Sequence, residues 1–323
     1  MRVALVGCGG IALRHAGAIA ALGDKAELVA CVGRDRERTA AFAAEHGGEP
    51  FVDLERMIAG HQPDLAIVTI PPFARGGEIE HLAARKVHLL VEKPIALDME
   101  SALRMVEAVE ESGVVAAIGF MYRFGDAVRA WRAADTGPAG LYVGGYYCNG
   151  LHADWWRRRA LSGGQILEQA IHQIDLIRHF MGEPDSVYAR FANLFHRDTP
   201  GYDVEDLSST IFAWDDGRLA SLSASNIAVP GVWQKEWTIM AERMTGRFTS
   251  WNEAVLTRTA GEVSAAAIAG TTDPFVAQLA DVIQAIAGGR EPYVPLAEGM
   301  RSLRLALAAV ESGAERREVR LGN

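Results

Sequence analysis

Val3-Ala4-Leu5-Val6-Gly7-Cys8-Gly9-Gly10-Ile11-Ala12 reads as a short apolar strand, a glycine-rich turn and the opening of a helix. Its last six residues fit G-x-G-x-x-G/A, with Ala12 in the final place. The first glycine permits a tight turn, the second lets backbone approach a pyrophosphate, and a small third residue lets helix and strand pack closely. Helix N–H groups and the helix dipole then face the phosphate charge. A plain structural turn is the competing reading of the glycines. Their place at the end of the first strand favours a dinucleotide site, with Gly7, Gly9, Gly10, Ile11 and Ala12 against the cofactor.

Working outward, apolar runs at residues 3–6, 28–32, 65–70, 87–91 and 114–118 show no polar alternation. That is the pattern of strands buried on both faces of a parallel sheet. Helical stretches at 11–22, 36–46, 54–60, 76–85 and 99–112 separate them, so the spacing predicts a doubly wound Rossmann domain over residues 1–120. Beyond it the order changes. Helices are predicted at 126–134 and 163–181, strands at 141–147, 186–193, 208–214, 219–225 and 237–241, and two closing helices at 275–287 and 296–311. Consecutive strands with flanking helices predict an α+β domain over 121–323 with a largely antiparallel, open-faced sheet. The expected class is therefore α/β with two domains.

The bulk properties narrow the function. A net charge of -9 from 32 basic and 41 acidic residues argues against nucleic acid, which needs a concentrated basic surface. No apolar run approaches the roughly 20 residues that cross a bilayer, so no membrane association is expected. Cys8, Cys31 and Cys148 are odd in number and form no metal-ligand pattern, which points to a reducing cytoplasm and to no metal.

At the end of the second strand, where NAD-selective domains often place a carboxylate for the ribose 2′-hydroxyl, the chain reads Val32-Gly33-Arg34-Asp35. Gly33 occupies the acidic position and Arg34 follows it. A guanidinium suits a 2′-phosphate, so NADP is expected ahead of NAD. A solvated arginine at a helix start, with Asp35 as its cap, is the alternative.

The fifth strand ends in Glu92-Lys93-Pro94. Pro94 keeps Lys93 out of the helical region, at a strand end where open α/β sheets bind ligands. Further on, the helix from Gly163 carries a second pattern. At about 100° per residue, Glu168, His172, Asp175 and His179 share one stripe, while Ile166, Leu167, Ala170, Ile174, Ile177 and Met181 form a buried face. A solvated polar face is the competing reading.

Taken with Thr69-Ile70-Pro71-Pro72, Tyr122-Arg123-Phe124 and Val204-Glu205-Asp206, these motifs resemble the glucose–fructose oxidoreductase/inositol dehydrogenase/MocA-like family over nearly the whole chain. The resemblance implies that Lys93 contacts the reacting hydroxyl and that His172 is the acid/base, partnered by Glu168. Glu168 stands where the family carries Asp, keeping the charge and adding a methylene. Asp175 matches a family Asp, and Tyr122, Arg123 and Trp156 are expected at the substrate. Thr69, Pro71, Glu92 and Lys93 are expected beside the cofactor. Arg75 stands where many members have His and receives no catalytic role.

The implied reaction is hydride transfer between a nicotinamide and a secondary alcohol of a sugar, cyclitol or related polyol. A homo-oligomer, dimer or tetramer, is expected. Two alternatives stay open: a cofactor-retaining glycoside hydrolase or lyase using transient oxidation, and a non-catalytic dinucleotide sensor. The lysine and imidazole are expected to meet at one substrate oxygen.

Overall fold

The structure is a computed structural model that describes residues 1–149 and 153–322. The chain divides into two compact units, Met1–Met121 with Asp273–Met300, and Tyr122–Thr272 with Arg301–Asn323. The expected division into 1–120 and 121–323 differs from this chiefly in that residues 273–300 count with the first unit, as does Met121. The reason is packing. Phe275, Leu279 and Val282 sit in the same buried cluster as Val3, Leu5 and Ile67, and fully burying such side chains contributes about 1.5–3 kcal/mol each.

The first unit is built from β1 (Arg2–Val6), α1 (Gly10–Ala21), β2 (Glu27–Val32), α2 (Arg36–His46), β3 (Glu49–Phe51), α3 (Leu54–His61), β4 (Leu65–Val68), α4 (Glu78–Ala84), β5 (His88–Val91), α5 (Met99–Ser112) and β6 (Ala116–Ile118). Its sheet is parallel in the order β3-β2-β1-β4-β5-β6. The order reverses between β1 and β4, and ligands bind at the carboxyl edge of such a switch point. Aspartates start three of the helices: Asp35, Asp53 and Asp98 accept the backbone N–H groups of Arg38, Arg56 and Ser101. Helices α1 and α4 start on Gly9 and Gly77, without a side-chain cap.

The second unit contains α6 (Asp126–Ala133), β7 (Ala139–Tyr147), α7 (Arg159–Ser162), a π-helical turn (Ile166–Ala170) and α8 (Ile171–Met181). Strands β8 (Ser186–Ala192), β9 (Leu207–Ala213), β10 (Leu219–Ser225), β11 (Gln234–Ala241), β12 (Met244–Phe248), β13 (Glu253–Arg258) and β14 (Ser264–Ala269) follow. Helices α9 (Pro274–Gly288) and α10 (Leu296–Glu315) and strand β15 (Val319–Arg320) close the chain. Nine strands form one sheet in the order β14-β13-β12-β11-β7-β10-β9-β8-β15. Only the β7–β10 pairing is parallel.

The two faces of this sheet differ. Val187, Phe212, Ala220, Tyr142 and Ile239 line up across neighbouring strands on a buried face. One residue along, Tyr188, Ile211 and Val143 are exposed on the other face. Among the described residues no helix is long and apolar enough to cross a membrane. No group of three or more His, Cys, Asp or Glu that could hold a metal occurs among them.

Candidate active site

The glycine turn follows β1 directly. Gly7 has φ +108°, and a Cβ there would lie 2.8 Å from Thr69 Oγ1 and 2.9 Å from Ile70 N, so only glycine fits. Thr69 Oγ1 donates to the Gly7 carbonyl at 2.7 Å, tying the ends of β1 and β4 together at the switch point. Pro71 follows in an extended conformation at the start of the next turn. Space beside Gly9 and Gly10 is open: a Cβ at either would meet nothing within 4 Å. Helix α1 begins at Gly10 with no side-chain cap and no acidic residue in its first turn. Ile11 is exposed and Ala12 is buried against the sheet. An uncapped, acid-free helix start beside open glycines suits a pyrophosphate.

Just after β2, Gly33 is confined. A Cβ there would come 2.4 Å from Thr39 Oγ1, and Thr39 is buried and donates to the Asp35 carbonyl at 2.6 Å. Arg34 is exposed beside it. Asp35 caps α2, as the alternative reading of this segment anticipated. Arg38, which the sequence reading passed over, donates from Nε to the Cys8 carbonyl at 3.1 Å and so brings a second guanidinium to the glycine turn.

Lys93 follows β5 and is joined to Pro94 by a cis peptide bond. Its backbone N–H donates to Glu92 Oε2 at 3.1 Å, while Glu92 Oε1 lies 2.8 Å from Nε2 of the buried His15 on α1. Burial alone would raise the Glu92 pKa. The His15 hydrogen bond and charge, the Lys93 charge and the Lys93 N–H outweigh it and hold the carboxyl below its usual range. Glu92 therefore links helix α1 to the lysine loop.

Arg75 grips the same loop. It donates to the carbonyls of Ile70, Glu92, Pro94 and Ile95 at 3.1, 2.6, 2.6 and 2.5 Å. Burial draws its pKa down to about 10 against the pull of Glu92 and Glu78, so it stays charged at neutral pH. Neither His15 nor Arg75 was singled out from sequence for this role. The available signal for His15 was a polar residue among the buried positions Ala12, Ala16 and Ile19 of α1.

In the second unit, the single helix predicted over 163–181 is broken by the π-helical turn Ile166–Ala170. The uniform 100° step therefore fails at Glu168, because a π-turn advances the chain differently. The expected contrast between polar and buried faces also fails. Glu168, His172, Asp175 and Arg178 are all buried along with the apolar residues. Only His179 of the expected stripe is partly exposed.

These polar groups are accommodated by partners. Arg123 donates to both oxygens of Asp175, Nε to Oδ2 at 2.8 Å and Nη2 to Oδ1 at 2.6 Å. Arg178 bonds Ser302 and Glu183, and Tyr142 donates to Gln173. Arg123 and Asp175 were expected at the substrate; the structure turns them onto each other in a buried ion pair.

His172 stacks on Tyr122, with ring centroids 4.4 Å apart and planes 14° apart, and Tyr122 stacks in turn on Trp251 at 4.7 Å. Burial, and then the Glu168 charge, push the Tyr122 phenol well above its ordinary pKa. Burial first, with the Glu168 charge adding to it, likewise raises the Tyr146 phenol and the Cys148 thiol. Trp156 meets Trp155 and Trp233 edge-on at 5.6 and 5.9 Å. Trp251, Trp233, Tyr146 and Lys235 belong to the cluster and were missed. Strand β11 begins at Gln234, before the predicted start at 237, and so includes Lys235.

Comparison with known proteins places these features in context. Residues 1–120 match the family model described as the oxidoreductase family, NAD-binding Rossmann fold, of GFO/IDH/MocA proteins. Residues 112–246 match the GFO/IDH/MocA C-terminal domain. The chain is 26% identical over 327 residues to inositol 2-dehydrogenase of Rubrobacter xylanophilus, covering 97% of this chain and 91% of that protein. It is 29% identical over 178 residues to 2,7-anhydro-N-acetylneuraminate hydratase of Escherichia coli, covering 52% of this chain and 47% of the relative. Levoglucosan dehydrogenase, solved with NADH and levoglucosan, shares the fold with a TM-score of 0.90 at 20% identity, over 100% of both chains.

Proposed function

This chain belongs to the GFO/IDH/MocA oxidoreductase family, and we propose that it transfers a hydride between a nicotinamide dinucleotide and a secondary alcohol of a sugar, cyclitol or related polyol. The observation that carries this reading is the start of α1, uncapped and without acid beside open glycines. Backbone N–H groups of Gly9, Gly10 and Ile11 hold the pyrophosphate there. The bound nicotinamide supplies the hydride acceptor or donor.

His172 takes the hydroxyl proton in oxidation and returns it in reduction, a task suited to imidazole near neutral pH. The family resemblance gives Lys93 a hydrogen bond to the reacting hydroxyl, where an ammonium stabilises developing negative charge. Tyr122, stacked on His172, fixes the plane of the imidazole. Arg123 and Asp175 act on the substrate through this stack, by holding its two ends, rather than by touching it. Glu168 stands in the place of the carboxylate that partners this histidine in the family.

NADP is the preferred cofactor in this reading. Arg34 is exposed where the 2′-phosphate lies, and the Thr39 hydroxyl leaves no room for a carboxylate at position 33. The exposed row of Tyr188, Ile211 and Val143 fits a second copy of the chain better than water, which supports a homo-oligomer. Free thiols at Cys8, Cys31 and Cys148 fit a reducing compartment such as the cytoplasm.

A panel of sugars and polyols, followed by reduced-nicotinamide absorbance with NAD and with NADP, tests the proposal. Stoichiometric reduction with at least one polyol is expected. Substrate consumption without net reduction would replace it with the transient-oxidation hydrolase or lyase. Tight dinucleotide binding with no turnover anywhere would leave only a sensor.

A further inference from the structure

The buried-side face of the nine-stranded sheet carries a lysine that the reaction above does not use. Lys235 on β11 stands directly opposite Tyr146 on β7. Its Nζ lies 5.5 Å from the ring centroids of Tyr146 and Trp233 and 5.3 Å from that of Trp251. Trp251 is the outer ring of the stack that ends on His172. One file of aromatic rings therefore leads from an ammonium to the proposed acid/base. Trp233 is 39% exposed, so the ammonium end of this file is open to solvent.

We propose that Lys235 is an anion-binding subsite and that the substrate is an acidic sugar or polyol, held by a carboxylate or phosphate at this end with its reacting hydroxyl at His172. This rests on the dehydrogenase reading for the identity of the His172 end.

Three physical points support it. An ammonium set among rings has exchanged part of its hydration for cation–π contacts. Such a cation gains more from an anionic oxygen than a lysine in bulk water does. The exposed part of Trp233 offers apolar surface of the kind that covers the C–H side of a sugar ring.

Calorimetric titration of the NADP-saturated protein with D-glucose, D-glucuronate, D-gluconate and glucose 6-phosphate tests the proposal. At least one anion should bind ten-fold or more tightly than glucose, and which anion does so separates carboxylate from phosphate. Lys235→Gln and Lys235→Met should each erase the gap, while Lys235→Arg should keep it. Equal binding of glucose and all three anions would overturn the proposal, as would the absence of saturable anion binding or a gap that survives in both neutral variants. Because the readout is binding, an anion preference without cofactor reduction defeats the dehydrogenase reading alone. Turnover of neutral polyols without any anion preference defeats this proposal alone.

Discussion

Arg123 and Asp175 meet in a two-point ion pair whose side chains are only 6% and 1% exposed. Arg123 directly follows Tyr122, and Asp175 lies three residues beyond His172, so one pair anchors both partners of the ring stack. Arg178 and Ser302 approach the same carboxylate at 3.9 and 3.4 Å. Removing the charge leaves a buried guanidinium uncompensated. Asp175→Asn should lower stability by about 3–5 kcal/mol, the usual cost of breaking a buried pair. Urea denaturation measures this. A loss under about 1 kcal/mol, typical of an exposed pair, would show that the pair does not anchor the stack.

Glu92 makes stability depend on acid pH. Its folded pKa lies below the ordinary 4.5, so its contribution is complete above that value. The contribution fades as pH falls below 4.5 through the depressed folded pKa. Thermal midpoints should therefore drop on the acid side of this window, and Glu92→Gln should flatten that limb. Parallel acid limbs in the variant and the wild type would assign the transition to other carboxylates.

Arg75 should matter to rate more than to cofactor affinity, since its four carbonyl contacts hold the loop around Lys93 rather than the glycine turn. Displacing a reacting group by about 1 Å can cost 10²-fold. Arg75→Met should lower kcat by about that factor with little change in KM for the dinucleotide. Arg75→Lys, which lacks the planar fork, should rescue only part of it. An unchanged kcat in Arg75→Met would show that Lys93 keeps its place without the clamp.

Lys93→Ala and His172→Ala should each reduce turnover by about 10²–10⁴-fold, the range for acid–base groups, while dinucleotide binding stays near normal. Steady-state rates and fluorescence titration of the cofactor separate the two effects. Normal turnover in either variant removes that residue from the chemistry.

Arg34→Ala should weaken NADP more than NAD, by about 10–100-fold if one charged hydrogen bond of about 1.5–3 kcal/mol is lost. Competitive titration of the two dinucleotides decides it. Equal losses would move the 2′-phosphate away from Arg34.

The first unit was legible because its strands are largely buried on both faces and α2, α3 and α5 open on capping aspartates, so these elements announce themselves locally. Strand β3 escaped because it is three residues long and includes Pro50. The second sheet was legible only in part. Strand β14 reads Ser-Ala-Ala-Ala-Ile-Ala and is almost wholly exposed at the sheet edge, which leaves no apolar alternation to detect. Strands β12 and β13 include Gly246, Arg247 and Arg258 among their few apolar residues.

His172 and Glu168 were singled out by spacing and resemblance. The ring file was not, because Tyr122, Tyr146, Trp233 and Trp251 come together only through strand pairing and packing far apart in the chain. The π-turn has no periodic signature, so a uniform helical step passed straight through it.

The tight fit between Gly33 and Thr39 bears on how this protein could change its dinucleotide over evolutionary time. A carboxylate arriving first at position 33 would strike the Thr39 hydroxyl, whereas trimming position 39 to alanine beforehand clears the way. The two substitutions are thus epistatic with a preferred order. Lineages of this chain that acquire an acid after β2 should already carry a smaller residue at the start of α2.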